Sequence, residues 1–284
     1  MVKITCDSTA DLDTLFAERN IGVLPLVVTL GNDSFFDGVD VTPPDIFRFV
    51  KEKGVLPKTA ARSETDFYEF FRKYTEQGDS VLHFNISSKF SASNEMAKKA
   101  AERLENVYVV DSYNLSTGTG LLALYAADLA EEGKSAQEIY DLVCARVPAV
   151  QASFVVDTME YLHKGGRCSG VARFAASVLK IKPMILVKDG GMTVGKKYMG
   201  SFDKVIVKYV EDILRMYDNP DLTRVFITHT YASPQTVQKV RETLQKAANF
   251  REIIETKAGC TVTSHCGKNT LGILYINDGA KSAR

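Results

Sequence analysis

The chain has 284 residues, 45% hydrophobic and 25% charged, which suits two moderate globular domains and excludes a disordered or fibrous protein. Lys+Arg and Asp+Glu balance at 35 each, and no basic cluster is interleaved with aromatics, so nucleic acid is not an expected partner. The cysteines Cys6, Cys144, Cys168, Cys260 and Cys266 are odd in number and form no C-x-x-C, as expected of free thiols in a reducing cytoplasm.

The chain enters a strand at once with VKITCD (2–7), so no signal peptide is expected. STADLDTLFAERN follows as a helix capped by Ser8 with Asp11 three residues on. The apolar run IGVLPLVVTL (21–30) is β-rich, too short to span a bilayer and broken by Pro25, so no stable membrane insertion is expected. TPPDIFRFVKEKG (42–54) and SETDFYEFFRKYTEQG (63–78) read as helices closed by Gly54 and Gly78, the second opened by Ser63. SVLHFNI and NVYVVDS are buried-type strands with a helix between them. TGLLALYAADLAEEG and KSAQEIYDLVCARV are helices, the latter with a Ser135/Glu138 capping box. Alternating buried strands and helices predict a parallel sheet covered on both faces.

Beyond residue 152 the rhythm changes. PMILVKDGGMTVGKKY reads as a hairpin turning at Asp189-Gly190-Gly191, and RVFITHTYA and GILYIND as strands. GVARFAASVLK and SPQTVQKVRETLQKAA read as helices. The prediction is an α/β chain of two domains. Residues 1–152 form an α/β domain on a parallel sheet. Residues 153–284 form an α+β domain with a largely antiparallel sheet.

Four candidate functional stretches emerge. In NISSKFSASNEMAKK a strand, a hydroxyl-rich turn and a helix N-terminus follow one another, placing Ser87, Ser88, Ser91 and Ser93 where parallel sheets bind anions. One N-cap accounts for one serine, not four. PKTAARSE lies at the same sheet edge, where Thr59 adds a hydroxyl and Arg62 a charge, or else Ser63 simply caps a helix beside a solvated arginine. In YLHKGGRCSG, Gly165 and Gly166 suit a tight turn or a close backbone approach beside Arg167, which either reaches a carboxylate or stays solvated. TSHCGKNT sets His265 among hydroxyls, as a partner for an anion, a general base or a structural residue. Read as a strand, this stretch turns Cys266 away from His265, against a thiol nucleophile.

Other chemistries find less support. Asp7 at the end of the first strand completes a conceivable Ser/His/Asp set, but no G-x-S-x-G elbow exists. The histidines at 83, 163, 229 and 265 fit no metal motif, so no metal is expected. GTGLLA (118–123) lacks the lysine of a phosphate loop; Gly118 and Gly120 are expected to bring a helix close to the sheet.

Taken in order, CDSTADL, ISSKFSASNEMA, VVDSYNLSTGTGLLAL, FVVDTMEYLHKGGRCSG, LKIKPMI and GCTVTSHCGKNTLGILYI run over nearly the whole chain, and together they resemble the DegV family. These are bacterial fatty-acid-binding subunits that serve a fatty acid kinase. The resemblance implies two α/β domains with a long-chain fatty acid between them, and Thr59, Ser91 and His265 on its carboxylate. Arg167 matches the arginine of the family's Gly-Gly-Arg turn, and Ser87, Ser88, Ser93 and Arg62 stand as additional contacts. This chain departs from the family pattern at TAARS, SAS and HCGKN, while Thr59, Ser91 and His265 remain. The implied partner is a kinase catalytic subunit, docking on a mouth ringed by Lys164, Arg167, Lys196 and Lys268. No cofactor is implied other than the fatty acid as ligand, and no catalysis by the chain itself. A Ser/His-type hydrolase or acyltransferase using Ser91 and His265 is the alternative, and a sugar- or phosphate-binding module a third class.

Overall fold

The computed structural model describes residues 1–167 and 181–279. The helix expected at GVARFAASVLK and the residue Cys168 lie outside them.

Strand β1 (Val2–Asp7) forms as expected, but the helix after it does not. Asp7, not Ser8, accepts the cap bond from Thr9 N, a single 3₁₀ turn spans Ser8–Ala10, and Asp11 turns left-handed. Only a short α1 (Leu15–Glu18) survives. Pro25 splits the next apolar run into β2 (Gly22–Leu24) and β3 (Val27–Leu30), which enter different sheets. Two strands that the sequence pattern did not reveal join β3: β4 (Asp33–Phe36) and β5 (Lys58–Ala60). They are four and three residues of mixed polarity, stabilised by pairing rather than by any pattern of their own.

Helices α2 (Pro43–Lys53), α3 (Glu64–Thr75), α4 (Ser93–Ala101), α5 (Thr117–Glu131) and α6 (Ala136–Arg146) follow their local signals closely. Ser63 Oγ accepts from Asp66 N and Ser135 Oγ from Glu138 N, closing both capping boxes. Strands β6 (Ser80–Asn85) and β7 (Val107–Asp111) complete a four-stranded parallel sheet in the order β2-β1-β6-β7. Helices α3 and α4 cover one face with Phe67, Phe71 and Ala97. Helix α5 covers the other, buried on nearly all sides. Gly120 lets it approach the turn after β1 rather than the sheet itself, since a Cβ there would stand 2.8 Å from the carbonyl of Ala10, while Gly118 faces only the Asn114 side chain of its own loop.

The second sheet is six-stranded and largely antiparallel. Its order is β10-β9-β8-β13-β11-β12, from β8 (Val150–Val155), β9 (Ile181–Lys188), β10 (Gly191–Met199), β11 (Arg224–His229), β12 (Glu252–Lys257) and β13 (Leu271–Ile276). The β9–β10 hairpin turns on Asp189 and Gly190, both at positive φ, as a two-residue turn requires. The parallel partner β12 escaped the sequence reading, as did α8 (Phe202–Met216); α9 (Pro234–Ala247) did not. Helices α8 and α9 pack on the outer face. Helix α5 therefore lies between the sheets, and one core joins Ile4 and Phe84 to Phe154, Phe226 and Leu274.

The segment 259–266 is helical, not a strand: α10 spans Cys260–Cys266. Its β-branched Thr261, Val262 and Thr263 favour a strand locally. Tertiary contacts override them: Asp37 accepts from Cys260 N (2.7 Å) and Thr261 N (3.0 Å), and Asp11 from Gly259 N (2.8 Å). Val28 of β3, Val41 and Ile46 of α2 pack against Cys260.

Candidate functional site: an apolar cavity with a polar wall

Thr59 on β5, Ser91 in the turn before α4, His265 in the last turn of α10 and Arg167 after α7 (Glu160–Lys164) line one cavity of about 400 Å³. That is the size range of small-molecule sites. Leu26, Ile86, Phe90, Leu115, Met192 and Val262 supply most of the remaining wall. Polar atoms are thus confined to a few side chains in an otherwise apolar container.

Thr59 Oγ1 and His265 Nε2 are 2.8 Å apart, joining residues 206 positions apart in sequence. Burial, helped by the Arg167 charge, pulls the His265 pKa down to about 4, so the imidazole is neutral near neutral pH. Its Nδ1 is buried and has no hydrogen-bond partner among the described residues. Gly165 is the reason the ring fits: a Cβ there would lie 2.5 Å from Nδ1 and 2.8 Å from the Tyr161 carbonyl. Gly165 thus makes a close approach, while its neighbour Gly166 has φ +69° and forms the turn. The Arg167 guanidinium donates to the Gly165 carbonyl at 3.0 Å.

Ser91 Oγ accepts from Ser93 N at 3.2 Å and lies 2.9 Å from Ser93 Oγ, so it ends the turn that opens α4. Ser93 itself is fully buried. The other candidates are engaged elsewhere. Ser87 is buried and donates to the Gly190 carbonyl (2.7 Å), tying the first sheet's loop to the β9–β10 turn. Ser88 is exposed, and its N–H bonds Asp111. Arg62 bonds the Pro25 carbonyl and Asp66 and stacks 4.4 Å over the Phe36 ring, holding the Asp66 carboxyl below the usual range. None of these three lines the cavity. Among the cations expected at the mouth, Lys164 pairs with Glu160 and Lys196 with Asp212, both at 2.7 Å.

Asp7 does not join His265. Its carboxylate takes bonds from Thr9, Ile86 and Asn85 inside the first sheet's loops. Among the described residues His265 Nδ1 has no orienting acid, so no Ser/His/Asp triad is assembled around His265. Among the described residues no group of His, Cys, Asp or Glu is arranged to hold a metal, and no helix is long and apolar enough to cross a membrane.

Sequence reasoning missed Lys89, Met192 and Thr261 as lining residues. Lys89 lay in plain view inside the serine turn. Thr261 stands four residues before His265, a spacing that places both on one helix face once α10 is known to be a helix. For the same reason Cys266 is not turned away: it lines the cavity as well.

A parallel sheet and a largely antiparallel sheet sandwich one helix, and beside them β5, the serine turn and α10 wall an apolar cavity with a few polar side chains: this is a two-sheet α/β class with a cavity of small-molecule size. A family model described as "Uncharacterised protein, DegV family" matches residues 1–278, and the chain belongs to this family. A DegV domain-containing protein of Clostridium acetobutylicum is 32% identical over 279 residues, covering 97% of this chain and 98% of the relative. A DegV family protein from Thermus thermophilus, described for its fatty acid binding, superposes with TM-score 0.90 at 28% identity, covering 97% of this chain and 99% of that one. A stearic acid-binding protein from Eubacterium ventriosum superposes with TM-score 0.86 at 26% identity, covering 98% of both chains.

Proposed function

We propose that this protein binds a long-chain fatty acid in the cavity, with its carboxylate on Thr59 and Ser91 and His265 supporting Thr59 from behind, and presents that carboxylate to a separate fatty acid kinase for acyl phosphate formation. The observation that carries the reading is the convergence of Thr59, Ser91, His265 and Arg167 on one otherwise apolar cavity. The fatty acids bound by the Thermus and Eubacterium proteins support it.

The geometry suggests how the head is held. An incoming carboxylate selects the tautomer in which His265 Nε2–H donates to Thr59 Oγ1, which frees the Thr59 O–H to donate to the carboxylate. His265 then acts by orienting Thr59, and it stays neutral because of its burial. Ser91 adds a second hydroxyl at the start of α4, where a helix N-terminus favours negative charge. Each hydroxyl-to-carboxylate bond contributes about 1.5–3 kcal/mol. Tail burial contributes about 0.8 kcal/mol per methylene and dominates affinity.

In this reading the chain is a cytoplasmic, non-catalytic subunit of phospholipid metabolism, and the phosphoryl donor sits on the kinase; its two domains divide ahead of β8, because the expected 152/153 boundary falls inside that strand. Organic extraction of the purified protein followed by mass spectrometry of the acids tests the binding. An empty cavity that also takes up no added long-chain acid overturns it. Acyl phosphate formation from the loaded protein, ATP and a DegV-partner kinase tests the presentation. Release of product from a chromogenic ester by this chain alone would instead identify a hydrolase.

A further inference from the structure

The cavity has a hydroxyl that the head-group reading does not use. Thr261 is only 6% exposed and lines the cavity, yet its Oγ1 has no hydrogen-bond partner among the described residues. The reason is its position. Thr263 Oγ1 bonds the Ala258 carbonyl and Ser264 Oγ the Cys260 carbonyl. Thr261 is the second residue of α10, so no preceding turn of this helix offers it an acceptor. Its backbone N–H is already taken by Asp37 at 3.0 Å, so only the side-chain hydroxyl is open. Buried polar groups in native proteins are hydrogen-bonded in the great majority, and an orphan facing a cavity calls for a partner inside that cavity.

Thr261 shares its helix face with His265 but stands one turn away, roughly 6 Å along the axis. That offset separates it from the Thr59–His265 pair by several bonds of an extended acyl chain. We propose that Thr261 is a second polar recognition point, and that the preferred ligand of this cavity is a long-chain acid carrying an oxygen, a hydroxyl or a keto group, on its chain. A plain chain leaves Thr261 Oγ1 desolvated and unpaired, while an oxygenated chain satisfies it. The inference rests on the reading of the cavity as an acid-binding site.

The test is a competition assay with octadecanoic acid and a positional series of its monohydroxy derivatives. The wild-type protein is expected to bind at least one isomer about five- to tenfold more tightly than the plain acid, the worth of one net hydrogen bond. In Thr261→Val, which keeps the shape and removes the hydroxyl, that isomer and the plain acid should bind alike. In Thr261→Ser the gap should return. Absence of any preferred isomer in the wild type overturns the inference, and so does a preference that survives in Thr261→Val. Equal weakening of all acids in Thr261→Val also overturns it, since Thr261 would then serve the head group or the fold. Failure of the wild type to bind any of the acids refutes the underlying reading instead, and is recognised by the blank plain-acid control.

Discussion

Replacing Thr59 by Val tests the head-group arrangement most directly. The two side chains are nearly equal in shape, so the change removes one hydroxyl and little packing. In the free protein it deprives His265 Nε2 of its partner at 2.8 Å, and Nδ1 already has none among the described residues. A buried imidazole without any hydrogen bond costs about 1–3 kcal/mol. In the complex the carboxylate loses a bond of about 1.5–3 kcal/mol as well. Part of the first loss is common to both states, so the expected weakening is about 10- to 100-fold in Kd, at 1.4 kcal/mol per factor of ten. Binding should not vanish, because the tail stays buried. Fluorescence displacement of a long-chain acid gives the affinity, thermal unfolding of the free protein isolates the loss of stability, and Thr59→Ser should restore both. Ser91→Ala combined with Thr59→Val should bind more weakly than either single variant. A Thr59→Val protein that binds within twofold of wild type would refute the proposed contact.

Gly165→Ala brings a methyl 2.5 Å from His265 Nδ1 and 2.8 Å from a backbone carbonyl, so it should destabilise the fold by about 1–3 kcal/mol and weaken acid binding; unchanged unfolding and binding would mean the ring moves freely. Arg167→Gln, which removes the charge without setting an anion in the cavity wall, should reduce acyl phosphate formation by a partner kinase while acid binding survives, and equal loss of both in paired assays would make Arg167 a ligand contact instead. His83 is buried between Thr5 Oγ1 (2.9 Å) and Asn85 and edged by Phe67, Phe70 and Phe71, and burial lowers its pKa from 6.5 to about 3. The unfolded chain therefore takes up a proton that the folded one refuses. The stability this contributes is complete above about pH 6.5 and is lost as pH falls towards about 3, by up to about 1.4 kcal/mol per unit. Urea melts of wild type and His83→Gln at about pH 7 and about pH 5 should show a smaller drop in the variant, and equal drops would refute the assignment.

Much of the architecture is local, and local information is enough for it. Capping serines at 63 and 135, glycines at 54 and 190, and continuous apolar runs such as β6, α5 and β13 each state their conformation within a few residues. The order of buried strands and helices then implies the parallel sheet, and the change of rhythm after residue 152 implies the antiparallel one. Even the serine turn announces itself, because strand, hydroxyls and helix start are contiguous. What the sequence by itself leaves open is decided by contacts between distant residues. Strand β5 exists because β3 pairs with it, and α10 is a helix because Asp11 and Asp37, more than 200 residues upstream, take up its first N–H groups. The same separation hides the site: Thr59 meets His265 only after both sheets and α10 are in place. Ser87, Ser91 and Ser93 look alike in sequence. Only tertiary structure turns Ser91 to the cavity, Ser87 to the Gly190 carbonyl and Ser93 into the core, because a hydroxyl takes whichever acceptor the assembled chain puts within 3 Å or so.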